Sequence, residues 1–195
     1  MKPRRAESHR TAVDLAGLAD RIVAVRGGAP RDRPTLVAIS GIDASGKGFM
    51  AARLAPKLRR RGLDVALLHA DDWVTFAESH REPDLSPERF YRDGFRFDEL
   101  LAHAAARTGV DIVLIEGIFL LKTALRDRFD FSIWVECGFD TGLERAVARA
   151  QEGLPPAETI HAYRTLYYPA QEIHFERDRP RDAANVTIVN DPRAC

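Results

Sequence analysis

The sequence predicts an α/β fold, a central parallel five-stranded sheet with helices on both faces. Three observations predict it. Short apolar runs alternate with longer segments of helical periodicity along most of the chain. The runs are mostly apolar throughout, as strands buried on both faces are. A length of 195 residues with 45% hydrophobic content gives one domain with a real core.

Val13, Leu15, Leu18, Ile22 and Val25 form an approximate helical stripe over 11–26, ended by Gly27-Gly28 and Pro30. Residues 1–30 therefore read as an N-terminal amphipathic helix and linker, and 31–195 as the main domain. The run TLVAIS, 35–40, lies between Pro34 and Gly41 and predicts the first strand. Met50, Leu54 and Leu58 recur at four-residue spacing in a helix from Gly46 to Arg61, with Gly62 as its cap. Residues 64–70 predict the second strand, and Phe97 to Ala106 a helix with Leu100, Leu101 and Ala104 on one side. Residues 110–117 and 131–136 predict the third and fourth strands. A helix starts at Asp140-Thr141, with Leu143, Ala146, Val147 and Ala150 as its apolar face. Pro155-Pro156 introduce a last helix, Ala157 to Phe175, and 185–189 close the sheet. Residues 71–96 break the alternation. They are rich in charge and aromatics (Trp73, Phe76, Phe90, Tyr91, Phe95) and read as a functional insertion.

Composition narrows the function. Lys and Arg number 29, as do Asp and Glu, so charge gives no reason to expect a nucleic-acid partner. The basic clusters Arg4-Arg5 and Arg59-Arg60-Arg61 read as solvated surface. The two cysteines, Cys137 and Cys195, have no metal-ligand spacing and make no disulfide framework, and Cys137 reads as a buried free thiol. No apolar region follows the basic start MKPRRAESHR, and no run approaches the roughly 18 apolar residues of a membrane span. The expectation is a soluble, cytoplasmic chain without a membrane partner, for which a homo-oligomer is an open option.

The chemistry begins at Gly41-Ile42-Asp43-Ala44-Ser45-Gly46-Lys47-Gly48. This fits GxxxxGK, with a predicted strand before it and a helix after it, and so predicts a P-loop NTPase fold. Glycines let backbone N–H groups turn inward around phosphate oxygens, and the helix N-terminus adds its positive end. Lys47 supplies a point charge to the β- and γ-phosphates. Gly41, Asp43, Ala44, Ser45, Gly46, Lys47, Gly48 and Phe49 are the candidate cofactor-binding positions. Gly48 stands where a Ser or Thr hydroxyl usually ligates Mg²⁺, so a metal must rely on carboxylates and water. Asp71 and Asp72 follow the second strand at the sheet edge where the loop lies. Such a carboxylate can take a proton from a hydroxyl or hold Mg²⁺. Glu116 ends the run Ile112-Val113-Leu114-Ile115, an acid at a buried strand tip suited to orienting Mg²⁺ through water. Gly117 leaves room beside it.

Together these residues resemble the uridine kinase and phosphoribulokinase group of P-loop kinases. The resemblance runs through the phosphate loop, Asp71-Asp72-Trp73, Asp93-Gly94-Phe95-Arg96-Phe97-Asp98, Ile115-Glu116-Gly117-Ile118, Leu125 to Asp130, Arg145 and Arg149, and Tyr163 to Ala170. It implies ATP and Mg²⁺ as cofactors and a small-molecule phosphate acceptor, with a nucleoside first among acceptors. By position, Asp71 resembles the general base, Glu116 the magnesium-organising acid, and Arg149 a lid arginine reaching the triphosphate. Arg145 reads equally as a second such arginine or as a surface ion pair. The candidate catalytic residues are thus Asp71, Lys47 and Glu116, and the candidate metal ligands Glu116 and Asp72. The chain departs from uridine kinases in two places. Residues 100–108 leave no length for the hairpin that helps bind the base, and the lid after Arg149 is short. A nucleoside monophosphate kinase, a kinase of pantothenate, a sugar or ribosylnicotinamide, and a nucleotide-binding module with little turnover are the other readings. Trp73, Phe90, Tyr91 and Phe95 read as an acceptor pocket or as packing. Arg92 and Arg96 suit an anionic acceptor or the surface, and His103, His161 and His174 read as structural or surface residues. Asn190-Asp191 lie where the nucleotide base site would be.

Overall fold

In the computed structural model, which describes residues 14–76, 84–150 and 153–193, five strands form one sheet in the order β2-β3-β1-β4-β5. The strands are β1 (Thr35–Gly41), β2 (Val65–His69), β3 (Ile112–Gly117), β4 (Phe131–Glu136) and β5 (Val186–Val189). Every neighbouring pair is parallel. Val13, part of the 71–96 insertion and part of the short lid lie outside the described residues.

Side chains on a strand alternate between its two faces, and here each face has its own core. Val37, Ile39, Ile112, Leu114, Ile133 and Val135 pack with Leu18, Ile22, Met50, Leu54 and Leu58 from α1 (Leu15–Gly28) and α2 (Lys47–Arg59). Leu36, Ala38, Val113, Ile115 and Trp134 point the other way, into a second cluster with Phe90, Leu100, Leu101, Tyr163 and Leu166. That face is covered by α3 (Pro87–Asp93), α4 (Phe97–Ala105), α5 (Phe139–Arg149), α6 (Pro156–Ala162) and α7 (Tyr168–Asp178), and a short α8 (Pro180–Ala183) leads into β5. Two buried faces explain why the strands read as continuous apolar runs. Asp14 caps α1 through Ala16 N–H. Of the arginines expected as solvated surface, Arg4 and Arg5 lie outside the described residues, whereas Arg61 bonds Asp20 and the Ala16 carbonyl, tying α2 to α1, and Arg59 bonds the Val65 carbonyl.

The last helix differs from its sequence reading. It runs from Pro156 to Asp178 but is interrupted at Tyr163–Tyr167 by a wider π turn. Pro169 follows closely. A proline has no N–H to donate and its ring crowds the carbonyl four residues back, so a widened turn just before it is a physical expectation. The insertion also holds an unexpected helix, α3, with Ser86 capping it through Arg89 N–H and Pro87 in its first turn. An antiparallel bridge between Val74 and Phe95 closes the insertion on itself. No helix among the described residues is long and apolar enough to cross a membrane.

Candidate active site

All five strands point their C-terminal ends to one edge, and β1, at the centre, delivers the phosphate loop there. The loop's shape depends on three backbone features. Ala44 adopts φ 54° and Gly46 φ 98°, left-handed conformations that turn successive N–H groups inward. A Cβ at Gly41 would lie 2.5 Å from the Val135 carbonyl oxygen, so only glycine lets β1 leave beside β4. The loop is braced from behind. Gln171 on α7, almost fully buried, accepts from Asp43 N–H at 2.9 Å and donates to Asp43 Oδ2 at 2.8 Å. Asn190, at the end of β5, donates to the Ser45 carbonyl at 2.7 Å. Arg145 donates to the Asn190 carbonyl at 2.9 Å and reaches the Ala44 and Ser45 carbonyls at 3.5 and 3.4 Å. Arg145 thus braces the loop from its carbonyl side, a role outside both readings of it from the sequence, a second triphosphate arginine and a surface ion pair. Arg149, one turn on, is exposed and comes within 3.5 Å of the Ala44 carbonyl.

Lys47 is buried and donates to the Ile42 carbonyl at 2.8 Å, so its ammonium group lies folded into the loop. Ser45 is fully buried, and its hydroxyl has no hydrogen-bond partner among the described residues. Phe49 stands 65% exposed on the first turn of α2, with the Arg53 guanidinium 5.3 Å from its ring centre.

The acids lie beside this loop. Asp71 and Asp72 are in a single turn of 3₁₀ helix, Ala70–Trp73, directly after β2. Gly117 makes that placement possible, because a Cβ there would lie 2.4 Å from the Ala70 Cβ. The room expected beside Gly117 is therefore filled by this turn, which holds Asp71 against the tip of β3. Asp71 keeps contact with solvent but is crowded by neighbouring atoms. Loss of solvation pushes its carboxyl above the usual range, Lys47 pulls it back, and Glu116 adds to the rise. Glu116 is largely buried and its Oε1 lies 2.7 Å from His69 Nδ1. A Cβ at Gly48 would lie 3.6 Å from the same oxygen, in ordinary contact. Asp72 is exposed in the same turn.

The donor set fits magnesium, a hard cation that takes oxygen ligands and keeps several waters. Glu116 has one carboxylate oxygen held by His69 and a second to offer, and Asp71 is close enough to feel its charge. Among the described residues no three His, Cys, Asp or Glu side chains form a ready-made cage.

The insertion's aromatics pack rather than line an open pocket: Phe90 and Tyr91 are buried, with Trp73 and Phe95 half-buried against the same cluster. Arg92 pairs with Asp93, while Arg96 pairs with Glu99 and donates to the Val74 carbonyl. Asp191 is held in a bond network at the start of α5. It accepts from Gly138 N–H and the Thr141 hydroxyl, joining β5 to the start of α5. Of the histidines, His174 is buried and bonded to Asp178 at 2.6 Å, and His103 and His161 are exposed. Cys137 is buried, and burial pushes its thiol up. A separate cleft of about 820 Å³, lined by Arg126, Asp127, Arg177, Arg179 and Asp182 among others, contains none of the loop residues.

No sequence motif marks His69 or Gln171. His69 carried a weak signal, a polar residue ending an apolar strand, whereas Gln171 carried none.

No family model matches the chain, and no curated protein matches it by sequence. Solved structures do match its fold. A candidate fructose transport system kinase from Silicibacter sp. aligns with a TM-score of 0.73 at 20% identity, over 91% of this chain and 100% of that one. A candidate uridine kinase from Bacillus stearothermophilus aligns at 0.65 and 19% identity, over 89% and 96%. A D-glycerate 3-kinase from Cryptococcus neoformans aligns at 0.63 and 10% identity, over 93% and 96%. The chain thus has the fold of P-loop kinases of the uridine kinase and phosphoribulokinase type, with its five-stranded parallel sheet flanked by helices.

Proposed function

We propose that the chain is an ATP- and Mg²⁺-dependent kinase that transfers the γ-phosphate to a hydroxyl of a small metabolite, with a nucleoside as the first acceptor to test. The observation that carries this reading is the convergence of Asp71 and Glu116 beside the phosphate loop, with Lys47 near enough to act on the Asp71 charge. A module that only binds nucleotide has no use for a second acid at the acceptor side.

In this reading the loop N–H groups and Lys47 hold the phosphates, Lys47 exchanging the Ile42 carbonyl for phosphate oxygens. Asp71 accepts the proton of the acceptor hydroxyl as the hydroxyl oxygen attacks the γ-phosphorus and the bond to the β–γ bridging oxygen breaks, releasing ADP. Arg149 offers positive charge to the transferring phosphoryl oxygens. Glu116 and Asp72 would hold magnesium, directly or through water. When bound, it supplies charge neutralisation across the β- and γ-phosphates. The fold neighbours include kinases described for a nucleoside, a sugar and glycerate. The acceptor panel therefore spans nucleosides, nucleoside monophosphates, ribosylnicotinamide, pantothenate, sugars and glycerate.

The test is phosphate transfer from ATP across that panel, with Lys47→Ala and Asp71→Asn in parallel. Transfer to one acceptor, abolished in Lys47→Ala and slowed about 10²–10⁴-fold in Asp71→Asn, is the expected result. Full turnover in Asp71→Asn would show that another group takes the proton. ATP binding with transfer to no acceptor would favour the binding-module reading.

A further inference from the structure

We propose that His69 is a positioning residue for the metal site: it holds the Glu116 carboxylate in place and so compensates for the hydroxyl missing at position 48. The inference rests on the nucleotide-kinase reading above.

Three observations carry it. First, Gly48 has no side chain, and the atom nearest to a Cβ built there is Glu116 Oε1, at 3.6 Å. The carboxylate therefore borders the space a Ser or Thr side chain would have entered. Second, His69 Nδ1 lies 2.7 Å from that same oxygen. An ionised carboxylate can only accept, so the ring donates from Nδ1 and leaves Oε2 for a cation or its water. Third, the pair is set by sheet register: His69 on β2 is the direct partner of Glu116 on β3, which keeps the ring beside the carboxylate as long as the sheet stands. His69 is about half exposed and Glu116 is 12% exposed. The histidine is thus the solvent-side support of an otherwise enclosed acid.

The physical reason is rigidity. A hydroxyl at the start of α2 would bind the cation directly and fix it to the loop. Without it, the ion's position follows that of Glu116, a side chain with three rotatable bonds. Outer hydrogen bonds that orient a ligating side chain are worth about 10–100-fold in metal affinity, so the donor on β2 has become part of the site.

The test uses the full chain with Mn²⁺ and a non-hydrolysable ATP analogue, reading Mn²⁺ affinity by electron paramagnetic resonance. His69→Ala is expected to weaken Mn²⁺ binding about 10-fold or more. His69→Asn, whose amide nitrogen can replace Nδ1 as donor, is expected to restore most of it. In a Gly48→Ser background, where a hydroxyl is available again, the effect of His69→Ala is expected to shrink to about threefold or less. Unchanged Mn²⁺ affinity in His69→Ala overturns the proposal, as does an equal loss in both Gly48 backgrounds. Failure of His69→Asn to rescue overturns positioning in favour of direct ligation by the imidazole. A wild-type chain that binds no Mn²⁺–nucleotide complex is a different result: it refutes the kinase reading, and the proposal with it.

Discussion

Replacing Gln171 with leucine tests whether the phosphate loop is held in shape from behind by α7. The substitution nearly conserves volume and removes three hydrogen bonds: from Asp43 N–H at 2.9 Å, to Asp43 Oδ2 at 2.8 Å and to the Tyr167 carbonyl at 3.0 Å. Two neutral bonds at about 1 kcal/mol each and one to a carboxylate at about 1.5–3 kcal/mol sum to roughly 4 kcal/mol. Asp43 is only partly buried, so water recovers some of this, leaving a loss of about 2–3 kcal/mol. For a chain of this size that lowers the melting temperature by roughly 5–10 °C. The functional consequence is separate. Nucleotide at 100 times its dissociation constant stabilises a protein by about 2.7 kcal/mol. If Gln171 preorganises the loop, affinity falls about 10-fold and the same nucleotide concentration stabilises the variant by about 1.4 kcal/mol less. Thermal denaturation with and without an ATP analogue reads both quantities. A variant that melts lower but keeps the full nucleotide increment would refute the preorganisation argument and leave Gln171 as a core prop. A variant that melts with the wild type would refute the hydrogen-bond accounting as well.

Gly46→Ala is expected to abolish binding of the ATP analogue in calorimetry while the sheet still folds. The position has φ 98°, and an added Cβ would lie 2.4 Å from Asn190 Nδ2. Asn190→Ala should relieve only the overlap, so a double variant with full affinity would sink the backbone-strain account. The His174 prediction concerns pH. Burial lowers its imidazole pKa below the ordinary 6.5, with Asp178 opposing and Lys122 assisting. The unfolded chain therefore takes up this proton first as pH falls. Stability from neutral His174 is complete above about pH 6.5 and is lost below it, at no more than about 1.4 kcal/mol per pH unit. Urea unfolding at about pH 7.5 and about pH 5.5 should show a loss that His174→Asn lacks, and equal pH dependence in both proteins would rule the group out. Asp178 should not add to this loss until far lower pH. Burial opposes its charge, but hydrogen bonds from His174, Tyr91 and Thr123 N–H outweigh that and hold its carboxyl well below the usual range.

The sequence by itself determined the succession of the five strands along the chain, most of the helices between them and the local chemistry of the site, because these are written in short segments. Strands buried on two faces must be apolar at every step, so TLVAIS and IVLI announce themselves. A loop that cradles phosphate needs glycines at fixed spacing before a lysine, so Gly41 to Lys47 is legible without partners. Acids at strand tips, Asp71 and Glu116, are legible for the same reason. The tertiary structure alone decided what supports these residues. Gln171 grips Asp43 across 128 positions and Asn190 holds Ser45 across 145. Neither spacing has a period or a motif that could have revealed it. His69 meets Glu116 because β2 lies beside β3 in one register and not a residue away from it. Sheet register follows from how two cores fill, a property of the whole chain. The wide turn at Tyr163–Tyr167 is intermediate: Pro169 could have warned of a defect, but only packing decided that the helix would widen and continue. Local chemistry is legible locally because the functional group belongs to the residue type, although its proton affinity, as at Asp71, is set by neighbours met on folding. Position is not, because holding an atom to within a few tenths of an ångström takes contacts from residues that meet only after folding.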